Sequence, residues 1–281
     1  MTQVQDSTRT ERREGAETPL IQLDHISISF DGGRSRAVDD VSLAVARGTF
    51  VSLVGESGSG KTSLLKTING LVIPFSGHVN IEGRPIPPAD HDDDIAAFRR
   101  GIGYVIQDVG LFPHMSVAEN IAVTPRLLRW PESRVIERVK SLIAMVGLPE
   151  DYATRAPAML SGGQKQRVGV ARALAAEPKI VLMDEPFGAL DPLTRDTLGR
   201  AYRDLHERFG LTTIMVTHDM QEAALLSDRI VVMQAGRVIC DDTPRALLTQ
   251  APRPEVSDLL NLPRRQAERI RAMIEPEADP R

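Results

Sequence analysis

The stretch VSLVGESGSGKTS, residues 51 to 63, restricts the fold of this chain more than any other. Apolar, β-forming residues run up to Val54, a glycine-rich turn follows, and a helix-forming run starts near Lys61. The turn matches G-x-x-x-x-G-K-[ST] from Gly55 to Thr62. Glycines there let backbone N–H groups converge on phosphate oxygens, and the helix N-terminus adds partial positive charge. Gly55, Glu56, Ser57, Gly58, Ser59, Gly60 and Ser63 would form the cradle, with Lys61 reaching the terminal phosphates and the Thr62 hydroxyl holding Mg²⁺. With glycine at about 7% of residues, chance would place this pattern in a chain this long about once in a hundred. The motif alone leaves open which phosphate-handling enzyme this is, because kinases, GTPases and motor ATPases share it.

A second stretch, KIVLMDEP, puts four apolar residues, Ile180 to Met183, ahead of Asp184 and Glu185. A buried parallel strand would deliver both carboxylates at its C-terminal end, where ligands bind in open α/β sheets. Asp184 fits the acid that holds Mg²⁺ beside a phosphate loop. Glu185 points elsewhere and is suited to polarise an attacking water. His218 follows the apolar run TTIMV and would reach the same edge, in contact with a terminal phosphate or the water. The other histidines, at 25, 78, 91, 114 and 206, show no ligand spacing.

The chain has 281 residues, 42% of them hydrophobic, and a formal net charge of -4. That is the composition of one large domain or two intimate ones, and it argues against wholesale nucleic-acid binding. No apolar run approaches the roughly 18 residues that cross a bilayer. The polar N-terminus lacks the apolar core of a secretory signal, and residues 1–18 read as a disordered tail. Cys240 is alone, which excludes an internal disulfide. Alternating β-branched runs occupy 21–30 and 41–55, and a helix in TSLLKTINGL places Leu64, Leu65, Ile68 and Leu71 on one face, with Asn69-Gly70 able to close it. Two short strands flank a glycine turn in GHVNIEGRPI, and PPADHDDD reads as an exposed acidic loop. The middle is mostly helical, with Val135, Val139, Leu142, Ile143 and Val146 as a stripe and Trp130 beside them as core or interface. Strands return in KIVLMDEP, LTTIMVTHD and DRIVVMQAGRVICDD, the last turning at Ala235-Gly236. Strand–helix alternation at both ends implies a parallel sheet covered by helices, with a helical block inserted.

LSGGQKQRVGVARAL, residues 160 to 174, resembles the signature of ATP-binding cassette (ABC) ATPases, and the other elements follow that family's order over about 21 to 245. Gln107 in GYVIQD resembles the Q-loop glutamine, GALD ending in Asp191 the D-loop, and VTHD the loop of His218. Phe30 stands where the family places an aromatic that stacks on adenine; Phe instead of the commoner Tyr, and Gly188 in place of a frequent Ser, are minor departures. The resemblance implies an α/β fold. It would have a RecA-like, mostly parallel P-loop NTPase core, an antiparallel β subdomain and an inserted α-helical subdomain at about 108–178. It implies a cassette over 19–245 and a C-terminal appendage over 246–281. ATP and Mg²⁺ would be the ligands, with Gln107 joining Thr62 and Asp184 on the metal, and Lys61, Glu185, His218 and Gln107 as the catalytic set.

Two such cassettes pair head to tail, so Ser161, Gly162, Gly163 and Asp191 would serve the nucleotide held by a partner cassette. A helix N-terminus without side-chain bulk suits that task. The partners implied are a second cassette, integral-membrane permease subunits and, indirectly, an extracytoplasmic solute-binding protein, with no nucleic acid. The chain would sit on the cytoplasmic face of the membrane. Leu111, Phe112 and Pro113 would form the docking patch for the permease. The wording around Gln107, Glu185 and His218 is most similar to importers of glycine betaine, choline, carnitine and related osmoprotectants. Nitrate/taurine-type and polar amino-acid importers share several of these words, and a non-transport ABC ATPase is the competing class. Longer osmoprotectant members carry C-terminal CBS domains; a chain ending at 281 is not expected to include them.

Overall fold

The computed structural model describes residues 18–88 and 91–249. The expected tail 1–18, apart from its last residue, and most of the appendage 246–281 therefore lie outside the described residues. Ten strands and eight α-helices are described: β1 (Ile21–Ile28), β2 (Val38–Val45), β3 (Phe50–Val54), α1 (Lys61–Ile68), β4 (Ser76–Ile81), β5 (Arg84–Pro85), α2 (Asp92–Arg100), β6 (Ile102–Val105), α3 (Val117–Leu127), α4 (Glu132–Met145), α5 (Gly162–Leu174), β7 (Ile180–Asp184), α6 (Pro192–Phe209), β8 (Thr212–Val216), α7 (Met220–Leu226), β9 (Arg229–Gln234), β10 (Arg237–Asp242) and α8 (Pro244–Thr249). Two 3-10 turns separate α4 from α5.

These strands form two sheets, an antiparallel one in the order β2-β1-β4-β5 and a larger one in the order β10-β9-β3-β8-β7-β6. In the larger sheet every pairing is parallel except β9 with β10, which turn back on each other at Ala235-Gly236. This is the mixed α/β architecture expected of a P-loop core with an antiparallel companion. Strands β3, β7 and β8 are buried at every position, because helices cover both faces. Their side chains alternate between two cores. Phe50, Val181, Met183 and Met215 enter a cluster with the helical middle of the chain and α6, whose buried residues include Ile121, Val139, Val170 and Tyr202. Val51, Leu53, Ile180, Leu182, Ile214 and Val216 enter one with α1 and the antiparallel sheet. Each such side chain contributes roughly 1.5–3 kcal/mol on burial.

Three local expectations change. Helix α1 buries Leu64, Leu65 and Ile68 but ends there, so Leu71 lies beyond it and is half exposed. Gly70 at φ 67° closes the turn. The acidic run expected as a loop instead opens a helix: Asp92, Asp93 and Asp94 form the first turn of α2, where the helix dipole favours negative charge. Its last turn carries Arg99 and Arg100, the complementary sign. Finally, α8 crosses the expected boundary at 245/246, and Leu247 is buried with Val54, Met220, Ala223, Ile230 and Val232.

Helix α6 is tied to the sheet by a buried polar cluster. Its His206, 2% exposed, bonds the Thr213 hydroxyl at 3.0 Å through Nδ1 and the Gly48 carbonyl at 3.2 Å through Nε2. The Tyr202 hydroxyl bonds Thr213 Oγ1 at 2.7 Å, and the Phe50 ring lies 5.2 Å from the imidazole. Burial pulls the His206 pKa below its ordinary 6.5, reinforced by Arg203 and opposed by the Gly48 carbonyl and by Asp228 and Glu207. The folded state therefore binds this proton less readily than the unfolded chain, so the contribution is complete above pH 6.5 and declines as pH falls below it. Thermal melts should show Tm falling as the buffer is acidified through this window. In His206→Gln that part of the dependence should flatten; an unchanged acid limb would contradict the assignment.

Candidate active site

Four parallel strands, adjacent in the order β3-β8-β7-β6, deliver their carboxyl ends to one edge of the sheet. From these ends emerge the glycine loop, His218, the Asp184–Glu185 pair and Gln107, respectively. The glycines at the loop's ends are enforced by packing. A Cβ on Gly55 would lie 2.1 Å from the Met233 carbonyl oxygen, and one on Gly60 2.2 Å from that of Ala37, with both residues at positive φ. Between them Glu56, Ser57 and Gly58 are exposed, while Ser59 is buried. Helix α1 begins after Gly60 with no side-chain cap, so its first amides remain available to a ligand. Thr62 and Ser63 are half-buried in that first turn.

Lys61 is 6% exposed and fills the loop. Its ammonium donates to the carbonyls of Gly55 at 2.8 Å and Glu56 at 2.7 Å and to Ser59 Oγ at 3.3 Å. Burial lowers its pKa, opposed by Glu185 and Asp184. Thr62 donates its hydroxyl to Asp184 Oδ1 at 2.7 Å, which joins the helix start to the end of β7. Asp184 is 2% exposed; burial raises its pKa and the Thr62 bond opposes that shift. A hydroxyl and a carboxylate oxygen in contact are the hard donors that Mg²⁺ takes when phosphates complete its shell. The residues present therefore fit that ion.

Glu185 has φ 47°, in the left-handed region, which costs a residue with a Cβ about 1–2 kcal/mol. Its backbone N–H donates to the Val216 carbonyl at 3.0 Å. That conformation turns its side chain away from Asp184 toward two neighbouring strand ends. Oε2 accepts from Gln107 Nε2 at 3.3 Å, and Oε1 lies 3.5 Å from His218 Nδ1. Gln107, Glu185 and His218 thus form one cluster. The arrangement can hold a water between a carboxylate and an imidazole, beside a site able to bind a phosphate chain.

Phe30 is 70% exposed beyond the end of β1. Its loop is braced by Asp31, which accepts from Ser35 N and Oγ and from Ser29 Oγ. The bonds from Ser35 and Ser29 hold the Asp31 carboxyl down at about 2. The same loop runs on to Ala37, the residue that abuts Gly60.

The remaining expected residues lie elsewhere. Ser161 caps α5 in a reciprocal box with Gln164, bonded at 3.3 Å and 2.9 Å. A Cβ on Gly162 would meet nothing within 4 Å, whereas one on Gly163 would press on Leu190 at 3.1 Å. Asp191 caps α6 through the Thr194 amide at 3.0 Å; the Thr194 side chain first, and then this amide, lower its pKa. None of these residues touches the glycine loop through a hydrogen bond or ion pair among the described residues.

Sequence reasoning missed three side chains around the cluster. Arg195 on α6 bridges Asp219, next to His218, at 3.1 Å and the Leu190 carbonyl at 3.4 Å. Tyr104 on β6 buries its hydroxyl, and burial and the Asp184 charge push its pKa up. Gln166 on α5 is 2% exposed and bonds the backbone of both Glu185 and Ala189. Its signal in the sequence was a polar residue on the apolar stripe that continues through Val170 and Ala173.

A family model described as ABC transporter matches residues 38–188. The chain is 46% identical over 241 residues to the carnitine transport ATP-binding protein OpuCA of Listeria monocytogenes, covering 86% of this chain and 59% of that one. It is 47% identical over 229 residues to the choline transport ATP-binding protein OpuBA of Bacillus subtilis, covering 82% and 59%. For the glycine betaine uptake system ATP-binding protein YehX of Escherichia coli, identity is 45% over 231 residues, covering 82% and 73%. The chain thus spans 59% of the length of the first two relatives. Among solved structures, the dimeric post-hydrolysis state of the ATP-binding cassette MJ0796 with ADP and Pi superposes with a TM-score of 0.75. That match has 34% identity and covers 80% of this chain and 99% of the other.

The two glycine sites give opposite expectations for folding stability. Gly60→Ala should lose more than about 1 kcal/mol, because the new methyl meets a backbone carbonyl at a positive φ. Gly162→Ala should lose nothing, since its methyl points into open space. Denaturant midpoints of the two variants compare them directly.

Proposed function

Because this chain belongs to the ABC transporter family, whose model covers more than half of it, we propose that it is the ATP-hydrolysing subunit of a solute importer. The observation that carries the reading is the convergence of Gln107, Glu185 and His218 beside the Thr62–Asp184 pair. In it the β- and γ-phosphates of ATP lie against the loop amides from Gly55 to Ser63, and Lys61 turns from the loop carbonyls to the phosphate oxygens. Thr62, Asp184 and Gln107 would hold Mg²⁺, which would supply positive charge to the phosphate oxygens. Phe30 offers its exposed ring to the adenine. Glu185 orients a water for in-line attack and takes up its proton as the new P–O bond forms. The bond from γ-phosphorus to the β,γ-bridging oxygen breaks, and ADP departs. His218 donates to a γ-phosphate oxygen and keeps the water in line.

The signature serves a second nucleotide. Ser161 and Gly162 present an uncluttered helix N-terminus outward, a surface suited to the γ-phosphate bound by another copy of this chain. Asp191 lies beside the same interface. Two copies then enclose two ATP molecules, as the dimeric form of the similar MJ0796 cassette leads us to expect.

Coupling to a membrane permease runs through the segment after Gln107. A groove of about 340 Å³ lies between β6, α3 and α5, with Tyr104, Ile106 and Phe112 on its walls. Phe112 is 41% exposed. Buried Asn120 bonds the Phe112 amide at 2.8 Å, and Arg172 bonds the Val109 and Gly110 carbonyls at 2.6 and 2.8 Å. A braced apolar groove beside the Q-loop suits a permease helix on the cytoplasmic side of the membrane. No described helix is itself long and apolar enough to span a bilayer. The three relatives named above are carnitine, choline and glycine betaine proteins, which supports a quaternary-amine osmoprotectant as the cargo. An extracytoplasmic solute-binding protein would deliver it.

Glu185→Gln should bind ATP normally, lower kcat by about 10²-fold or more and accumulate an ATP-bound dimer on gel filtration. Hydrolysis at the unmodified rate would remove Glu185 as the base. Gly162→Glu separates the second surface from the first. A carboxylate in the first turn of α5 leaves the fold intact or steadier and faces the partner's γ-phosphate. Its Tm and nucleotide affinity as a monomer should hold while turnover falls; loss of monomer binding would contradict the head-to-tail reading.

A further inference from the structure

Helix α5 has two functional faces at its first turn. Ser161 and Gly162 look outward, whereas Gly163 and Gln166, three residues apart, face the loop that follows β7. The contact is close: the missing Cβ of Gly163 leaves room for Leu190 and the Ala189 carbonyl. Gln166 is 2% exposed there, and both ends of its amide are engaged. Its Nε2 donates to the Glu185 carbonyl at 2.8 Å, and its Oε1 accepts from the Ala189 amide at 2.9 Å. The Glu185 carbonyl also accepts from Gly188 N at 3.3 Å, and its amide is held by Val216. The peptide groups on either side of Glu185 are thus fixed by three different elements. Only one of the three, Gln166, belongs to the helix that carries the signature.

We propose that Gln166 is a positioning residue that couples the placement of helix α5 to the backbone of Glu185, so that engagement of the signature by a partner's nucleotide sets the aim of the carboxylate. The proposal rests on the reading of Glu185 as the water-orienting base. Glu185 holds a left-handed φ that its own side chain disfavours, so its conformation depends on outside restraints. Rotation of α5 by a fraction of a turn would stretch the 2.8 Å bond and leave the Glu185 carbonyl with only the longer 3.3 Å bond from Gly188 in its own turn. The carboxylate would then leave its position between Gln107 and His218. In this way one hydrogen bond links the surface that meets the second cassette to the aim of the first cassette's base.

Two variants of the full chain test this, each assayed with Mg²⁺ and ATP. Gln166→Met fills the same space and removes both bonds. It should lower kcat by about 10²-fold with KM nearly unchanged, the size expected when a reacting group is misplaced by about 1 Å. Gln166→Glu keeps an acceptor for Ala189 N–H, but as a carboxylate it has no proton for the Glu185 carbonyl. A carboxyl buried there holds its proton well above the ordinary range, so protonation restores the donor. Its kcat relative to the unmodified chain should therefore rise at least about tenfold between pH 8 and pH 6. A purely structural glutamine would lower Tm in both variants and give the carboxyl variant no such pH profile. Unchanged kcat in a folded Gln166→Met, or parallel pH profiles for Gln166→Glu and the parent, would overturn the proposal. Should Gln166→Met not fold, the pH profile of Gln166→Glu decides alone. Glu185→Gln run alongside separates the two readings. If it hydrolyses ATP normally, the base assignment fails. If it is inactive while both Gln166 variants turn over normally, the base stands and only the coupling fails.

Discussion

Everything at the site depends on the register of the parallel strands. Leu53 on β3 pairs with Val216 on β8, and Val216 pairs with Asp184 on β7. Met183 in turn pairs with Val105 on β6. The last residues of four strands therefore lie at nearly one level, about 4.8 Å apart from strand to strand. The glycine loop, His218, Glu185 and Gln107 leave the sheet from that level. A slip of one residue in β7 would invert the alternation of Ile180 to Met183 between the two cores and withdraw the acid pair from Thr62. Apolar packing thus determines the geometry of the polar groups.

The polar groups in turn restrain one another. Lys61 is held by the loop's own carbonyls, Thr62 by Asp184, and Glu185 by hydrogen bonds from β8, its own turn and α5. Few of these contacts are ion pairs between exposed side chains, which contribute little. Most engage backbone carbonyls or buried oxygens, where an unmade bond is costly. A site so restrained can keep a glutamate at an unfavourable φ and still aim it between Gln107 and His218. The loops after β7 and β8 are joined as well: Arg195 connects Leu190 to Asp219, beside His218. Movement in either loop is therefore felt by the other.

Helix α5 shows why the paired glycines in its first turn are not equivalent. Gly163 is small because Leu190 lies against it, a requirement internal to this chain. Gly162 has open space before it, so nothing among the described residues demands its lack of a side chain. Two adjacent, chemically identical residues are thus under different constraints, one set by a neighbour in the fold and one with no neighbour there.

The amino-acid sequence by itself determined the elements whose chemistry is local. Gly55 to Thr62, the apolar run into Asp184 and Glu185, and the Ser161 cap are each encoded within a few residues, because loop, strand and helix signals act at short range. The order of these motifs also sufficed for the family and the two-sheet α/β architecture. Short-range signals misled where charge was read without its helix, as at Asp92 to Asp94, and where Leu71 continued a periodicity that Gly70 had already ended. Only the tertiary structure decided which side chains meet. Gln166 and Glu185 are 19 residues apart, and Thr62 and Asp184 are 122 apart. No local pattern encodes such distances, since they arise from the common register of parallel strands and from the seating of α5 on the loop beyond β7. The positive φ of Glu185 is likewise a tertiary outcome, because a residue with a Cβ accepts it only where bonds from distant elements hold it.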